Sequence, residues 1–267
     1  MDSGRSKIKE IVMSSEKVRF YTHDTLKIVD LIPKADGKGM KKPNIIDARK
    51  NRFLKSVTSI TKILANFSLQ EWIVKNVIRT CVAYPYDPTT DLETHYIPMI
   101  LAKSSEYAAE TADRGKEIHK DVERYYINAE TPEDPISQKI VDAIEADAKM
   151  RGVVEIRAEV PIGSLEMGFA GTPDLVGCDV DGKILVIYDL KTTDDPAKIK
   201  SIYKSWSLQL GAYGMLDADC ALVSVIAGRD SGETRFVECK DAPKWKLAFE
   251  KLMDFDCVYC GHDPRKA

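Results

Sequence analysis

The chain has 267 residues, six scattered cysteines and a formal net charge of −3. That length suits one large domain or a core with a helical elaboration, and the charge provides no global basic field that would announce a polyanion partner. No stretch approaches a membrane span, the first residues lack the apolar core of a secretory signal or the acid-free character of a mitochondrial transit peptide, and the cysteine usage suits a reducing compartment such as cytoplasm.

Residues 1–55 are polar and form an expected N-terminal extension. Apolar alternation at 18–21 and 26–32 suggests a small hairpin, and Asp36-Gly37-Lys38-Gly39 with Pro43 marks loops. The basic run Lys38, Lys41, Lys42, Arg49, Lys50, Arg52 and Lys55 reads as a solvated loop. Residues 56–83 have helical periodicity, with a restart at a Ser68/Glu71 capping box. Pro85 and Pro88 break the pattern, and a helix near 92–101 follows.

The helix expected at 104–128 contains Arg114-Gly115-Lys116-Glu117-Ile118-His119. Gly115, His119 and Glu123 are four residues apart and share one helical side. A mid-helix glycine costs about 1 kcal/mol relative to alanine, which close approach of a backbone or ligand would explain. His119 reads either as a hydrogen-bonded helix histidine or as a neutral imidazole lending a nitrogen to a metal. A further helix at 135–150 leads to a strand at 153–162, on which Glu155, Arg157 and Glu159 share a side.

Two strands come next, 169–180 and 183–190, joined by the turn signal Asp181-Gly182. The second is almost continuously apolar, as in a strand buried on both faces, yet it ends in Asp189-Leu190-Lys191. Side chains alternate along a strand, so Asp189 and Lys191 share a face, and hairpin pairing can bring Asp174 beside Asp189. Two adjacent carboxylates repel unless a cation lies between them, and oxygen ligands suit Mg²⁺ or Mn²⁺. A lysine at the rim could then orient and activate water. The alternative is a buried Asp–Lys ion pair at a strand end.

A helix is expected over 196–217, with Gln209 and Tyr213 four apart and Trp206 bordering their side. An amide and a phenol so placed can bond phosphate oxygens and stack on a base. A strand pair at 220–227 and 234–239 and a helix at 242–255 complete the pattern, leaving Cys257, Cys260 and His262 in a tail.

Taken together, Gly115…His119, Glu159, Pro173-Asp174, Asp189-Leu190-Lys191 and Gln209…Tyr213 resemble the PD-(D/E)xK nuclease superfamily, in its RecB-like exonuclease branch. Residues 55–230 carry the likeness, which extends to mitochondrial genome maintenance exonucleases and phage RecB-type exonucleases. It implies an α/β fold: a restriction-endonuclease-like core with a central mixed β-sheet flanked by helices, plus an N-terminal helical elaboration. The expected division is an extension (1–55), a helical wall or arch carrying the histidine (56–130) and the nuclease core (131–267).

The resemblance also implies a cytoplasmic, bacterial or phage-encoded deoxyribonuclease acting on single-stranded DNA ends in recombination, repair or replication. The alternatives are a structure-specific endonuclease and a catalytically idle DNA-binding module. His119, Asp174, Asp189 and the Leu190 carbonyl would ligate Mg²⁺ or Mn²⁺. Glu159 would be an outer or second-metal carboxylate, and Lys191 would position and help deprotonate the attacking water. Gln209, Tyr213 and Arg114 would orient the site or the DNA. Some relatives bind an iron–sulfur cluster through one upstream and three downstream cysteines. Cys81, Cys239, Cys257 and Cys260 match that count but not its spacing; Cys257, Cys260 and His262 could instead be part of a zinc site, for which a fourth ligand is not evident, and the cysteines read as ordinary reduced thiols.

Overall fold

A computed structural model describes residues 18–64, 67–199, 202–215, 217 and 219–266. The N-terminal elements are β1 (Phe20–Tyr21), β2 (Ile32–Pro33), β3 (Met40–Lys41), α1 (Ile45–Asn51), β4 (Leu54–Ser56) and α2 (Val57–Thr61). Three longer helices follow: α3 (Phe67–Ala83), α4 (Ile97–Asn128) and α5 (Pro135–Met150). The sheet-forming half contains β5 (Glu155–Ala158), β6 (Ile162–Ser164), β7 (Phe169–Gly171), β8 (Leu175–Cys178) and β9 (Ile184–Thr193). Helix α6 (Lys204–Tyr213), β10 (Ala221–Gly228), β11 (Thr234–Glu238) and α7 (Ala242–Cys260) close the chain.

The chain divides into two compact units. The first comprises Met1–Ile60, Pro161–Gly171 and Leu252–Ala267. Its four-stranded sheet has the order β1-β4-β7-β6, beside the β2-β3 hairpin. Tyr21, Leu54 and Ala170 form its apolar centre. The basic run is only partly solvated: Lys38, Lys42, Arg49 and Lys50 are exposed, but several members are engaged. Lys41 pairs with the N3 carboxylate of α1, Asp47, at 2.7 Å, and Lys55 on β4 is buried against Asp256 at 2.6 Å. Arg49 and Arg52 donate to the carbonyls of Cys260 and Pro264. The early hairpin is present in a minimal form, with Tyr21 and Ile28 bridged antiparallel, Thr22 N donating to Lys27 O and Val29 N to Phe20 O, while β1 also pairs with β4.

The second unit, Thr61–Val160 and Thr172–Lys251, is built on a five-stranded mixed sheet of order β11-β10-β9-β8-β5. β9 and β10 run parallel, and the other neighbours are antiparallel. Val186, Tyr188 and Leu190 alternate along β9 and pack against Ile118 and Val122 of α4 and Ile140 and Ile144 of α5. Asp134 caps α5 by accepting from Ile136 N, and Pro135 supplies the pre-set first helical residue. Among the described residues no helix is long and apolar enough to cross a membrane.

Several boundaries differ from the sequence reading. The strand expected at 169–180 is two strands in different sheets, because Pro173 has no N–H to donate and the chain leaves the ladder at Thr172-Pro173-Asp174. Asp174 therefore precedes β8 instead of lying mid-strand. The 153–162 strand ends at Ala158, where Glu159 adopts a left-handed φ of 52°. The 56–83 helix is β4, short α2 and then α3, whose start at Phe67 places Ser68 inside the first turn. The break expected near 101–104 is absent: one 32-residue helix, α4, follows a π-helical turn at Leu92–Tyr96. The helix at 196–217 contracts to a 3₁₀ turn, Pro196–Lys198, and α6. Helix α7 continues to Cys260, so Cys257 and Cys260 lie on a helix and not in a tail.

Candidate active site

The β8–β9 register pairs Leu175 with Tyr188, so Asp174, one residue further out, stands level with Asp189. Asp174 Oδ2 accepts from Leu190 N at 2.7 Å, which holds the carboxylate over the end of β9. On the other side, His119 Nδ1 of α4 lies 3.6 Å from Asp174 Oδ1. Asp189 is 1 % exposed and accepts from Lys191 Nζ through Oδ1 at 2.7 Å. Its Oδ2 is buried and has no hydrogen-bond partner. His119, Asp174, Asp189 and Lys191, far apart in the chain, thus form one cluster.

The electrostatics of the cluster are lopsided. Burial pushes the Asp189 carboxyl up to about 6, against the pull of Lys191 and with the Asp174 charge adding to the rise. Burial acts the same way on Asp174, but His119, Lys191 and the Leu190 amide outweigh it and hold that carboxyl below its ordinary value. For Lys191 burial opposes the ammonium, yet the Asp189 and Asp174 charges prevail and hold it above its ordinary range. With only the protein's own groups around it, Lys191 is therefore a cation at neutral pH.

A groove of about 850 Å³ opens above the cluster, lined by Gly115, Lys116, His119, Lys120 and Glu123 of α4, Leu190 to Thr192 of β9, Trp72, Trp206 and Arg229. Sequence reading had placed Gly115, His119 and Glu123 on one helical side; all three face this groove. It missed the cationic lining of Lys116, Lys120 and Arg229. Helical spacing around His119 could have flagged the two lysines. Arg229 needed the β9–β10 register, in which Gly228 lies beside Thr193.

Gly115 is explained by a neighbour: a Cβ there would stand 2.7 Å from Thr192 Oγ1. Overpacking costs typically 1–3 kcal/mol, and the helix-propensity gain of alanine is about 1 kcal/mol. Gly115→Ala is therefore expected to destabilise by about 1 kcal/mol in urea denaturation. In a Thr192→Ala background the same change should become stabilising by a similar amount, since only the propensity gain remains.

The other sequence candidates take different places. Tyr213 is 2 % exposed, so it is no platform for a base. Its hydroxyl accepts from Gln209 Nε2 at 3.3 Å and donates to Thr172 O at 3.2 Å, which latches α6 to the loop bearing Asp174. Tyr213→Phe is expected to cost about 1 kcal/mol by chemical denaturation, the usual net worth of such a bond. Arg114 pairs with Asp134 at 2.7 Å and with Glu117, tying α4 to the cap of α5. Glu159 is exposed, and its amide donates to Asp174 O at 3.3 Å. Cys81, Cys239, Cys257 and Cys260 are free thiols. Burial pushes Cys257 up to about 11 and raises Cys239 and Cys260.

As the side chains stand, no three His, Cys, Asp or Glu among the described residues are gathered as a metal-holding group. The donor set beside Lys191 nevertheless has the chemistry of a divalent-cation site. Asp189 Oδ2 is a buried oxygen lacking any donor, Asp174 stands level with Asp189 across the β8–β9 register, and the His119 imidazole lies 3.6 Å from Asp174. The lysine ammonium supplies the positive charge in this arrangement.

The mixed sheet flanked by helices is a restriction-endonuclease-like arrangement. Residues 135–225 match the family model described as the PD-(D/E)XK nuclease superfamily. No curated protein matches the chain. Among solved structures, a candidate exonuclease from Eubacterium rectale aligns with a TM-score of 0.37 and 12% identity, over 55% of this chain and 66% of its own. The protein SSO0001 aligns with a TM-score of 0.31 and 14% identity, over 72% of this chain and 93% of its own.

Proposed function

We propose that the protein is a divalent-metal-dependent deoxyribonuclease of the RecB-type branch, an exonuclease acting on single-stranded DNA ends in recombination, repair or replication. The observation that carries this reading is the buried, half-satisfied Asp189 carboxylate beside Asp174 and Lys191 under a cation-lined groove. Asp174, Asp189, His119 and the Leu190 carbonyl would hold Mg²⁺ or Mn²⁺, which when bound supplies Lewis acidity and lowers the pKa of coordinated water. The chain's own groups do the rest. Asp174 is fixed by the Leu190 amide, and Lys191 carries a positive charge that can stabilise the charge developing on the phosphoryl group. Glu159, whose amide donates to the Asp174 carbonyl, would serve as an outer carboxylate. Four Lys/Arg line the groove; Lys116, Lys191 and Arg229 are ion-paired within the protein, and Lys120, without an ion pair among the described residues, is left to meet a phosphate backbone.

Degradation of end-labelled linear and circular single-stranded DNA, and of duplex DNA, with Mg²⁺ or Mn²⁺ tests the proposal. Linear single strands should shorten from an end while circles persist. Cutting of circles would make the protein an endonuclease, and binding without cleavage under either metal would make it an idle module.

A further inference from the structure

Metal binding and hydrolysis do not require indoles, yet Trp206 of α6 and Trp72 of α3 both line the groove that holds Lys191. Trp206 is steadied by Tyr203, whose ring stands edge-on to it with centroids 4.6 Å apart and planes at 79°. It precedes Gln209 by three residues and Tyr213 by seven, the spacing of one helical side. The latch from Tyr213 to Thr172 O therefore ties the indole's helix to the loop that carries Asp174. The cations of the groove are not equivalent. Lys116 is engaged by Asp113 at 2.6 Å and Arg229 by Asp194, whereas Lys120 has no ion pair among the described residues.

From this arrangement we infer that Trp206 is a stacking platform for one unpaired nucleobase next to the bond to be cut, with Lys120 holding the adjoining phosphate. This deepens the nuclease reading above and rests on it, since it assigns the groove's substrate as a single strand. Every base has a π-face, so an indole accepts any of them without reading sequence. A base inside a duplex has both faces covered by its neighbours and must be extruded before an enzyme can hold it. A cavity of about 850 Å³ is of the size that encloses a small ligand. Selectivity for unpaired bases then comes from the groove itself, with no separate recognition module.

The test is equilibrium binding in EDTA, read by fluorescence anisotropy, of a labelled oligothymidylate and of an abasic strand of equal length. The wild type should prefer the strand with bases by roughly tenfold, within the range that base–aromatic stacking supports. Trp206→Ala should bring that ratio close to one while leaving the abasic strand bound as before, and Trp206→Phe should keep most of the preference. Circular dichroism establishes that both variants are folded. A wild-type ratio near one, or an unchanged ratio in Trp206→Ala, would overturn the inference, as would equal loss in the two variants. Because no metal is present, the two readings separate. A base-dependent affinity without cleavage of any DNA under Mg²⁺ or Mn²⁺ would retain the subsite and remove the nuclease assignment. Active cleavage with a ratio near one would do the reverse.

Discussion

Replacing Lys191 with alanine is expected to slow DNA cleavage by about 10²- to 10³-fold, the usual cost of deleting one group aimed at transition-state charge. Binding of DNA should be largely retained, because Lys116, Lys120 and Arg229 still line the groove. In the metal-free protein Asp189 and Asp174 hold Lys191 protonated, so the substitution removes a positive charge from the site. Lys191→Arg, which keeps the charge but spreads it over a planar fork, should recover only part of the rate. Removing one partner of a buried ion pair costs about 3–5 kcal/mol when the other must stay charged. Here the cost is capped, because Asp189 already titrates at about 6 and can take a proton instead. Single-turnover cleavage of a labelled strand, alongside anisotropy binding and urea denaturation, separates the three effects. Undiminished cleavage by a folded Lys191→Ala protein would remove the lysine from the mechanism.

The parts of this site legible in the sequence were those encoded by local periodicity. A turn signal between two apolar runs located β8 and β9, and two-residue alternation placed Asp189 and Lys191 on one side of the second. Four-residue spacing put Gly115, His119 and Glu123 on one side of α4. What stayed hidden was decided by tertiary pairing. Nothing local to residues 169–180 states that Phe169–Gly171 joins one sheet and Leu175–Cys178 another; strand preference depends on the neighbours a strand meets. Arg114 and Tyr213 have the side-chain chemistry of DNA contacts, but their partners, Asp134 and Thr172 O, lie 20 and 41 residues away. The same holds for Lys55, which looks like part of a solvated run until Asp256, 201 residues on, buries it. The groove cations and Trp206 converge from segments whose proximity only the assembled sheet reveals.

Asp189→Asn is expected to abolish metal-dependent cleavage and yet to make the metal-free protein more stable, with a pH dependence that fixes the cause. The folded-state carboxyl titrates at about 6, above the ordinary value of 3.8, so the folded chain binds this proton more tightly than the unfolded one. The contribution of Asp189 to wild-type stability must then fall as pH rises between about 4 and about 6, and its penalty is complete above that window. At 1.36 kcal/mol per pH unit the displacement amounts to roughly 3 kcal/mol. Asparagine has nearly the shape of the protonated acid and can still accept from Lys191, so it should escape the penalty. The variant's advantage in EDTA should be absent near pH 4, grow through pH 5 and level off by pH 7. Excess Mg²⁺ or Mn²⁺ should reverse the order at pH 7.5, because a ligand that binds only the folded state stabilises it in proportion to its saturation, and only the wild type retains both carboxylates. Thermal denaturation of the two proteins at pH 4, 6 and 7.5, with metal and with EDTA, reads all of this. Should Asp189→Asn be the less stable protein in EDTA at pH 7.5, Asp189 would be a structural partner of Lys191, and its unsatisfied oxygen would no longer argue for a bound cation.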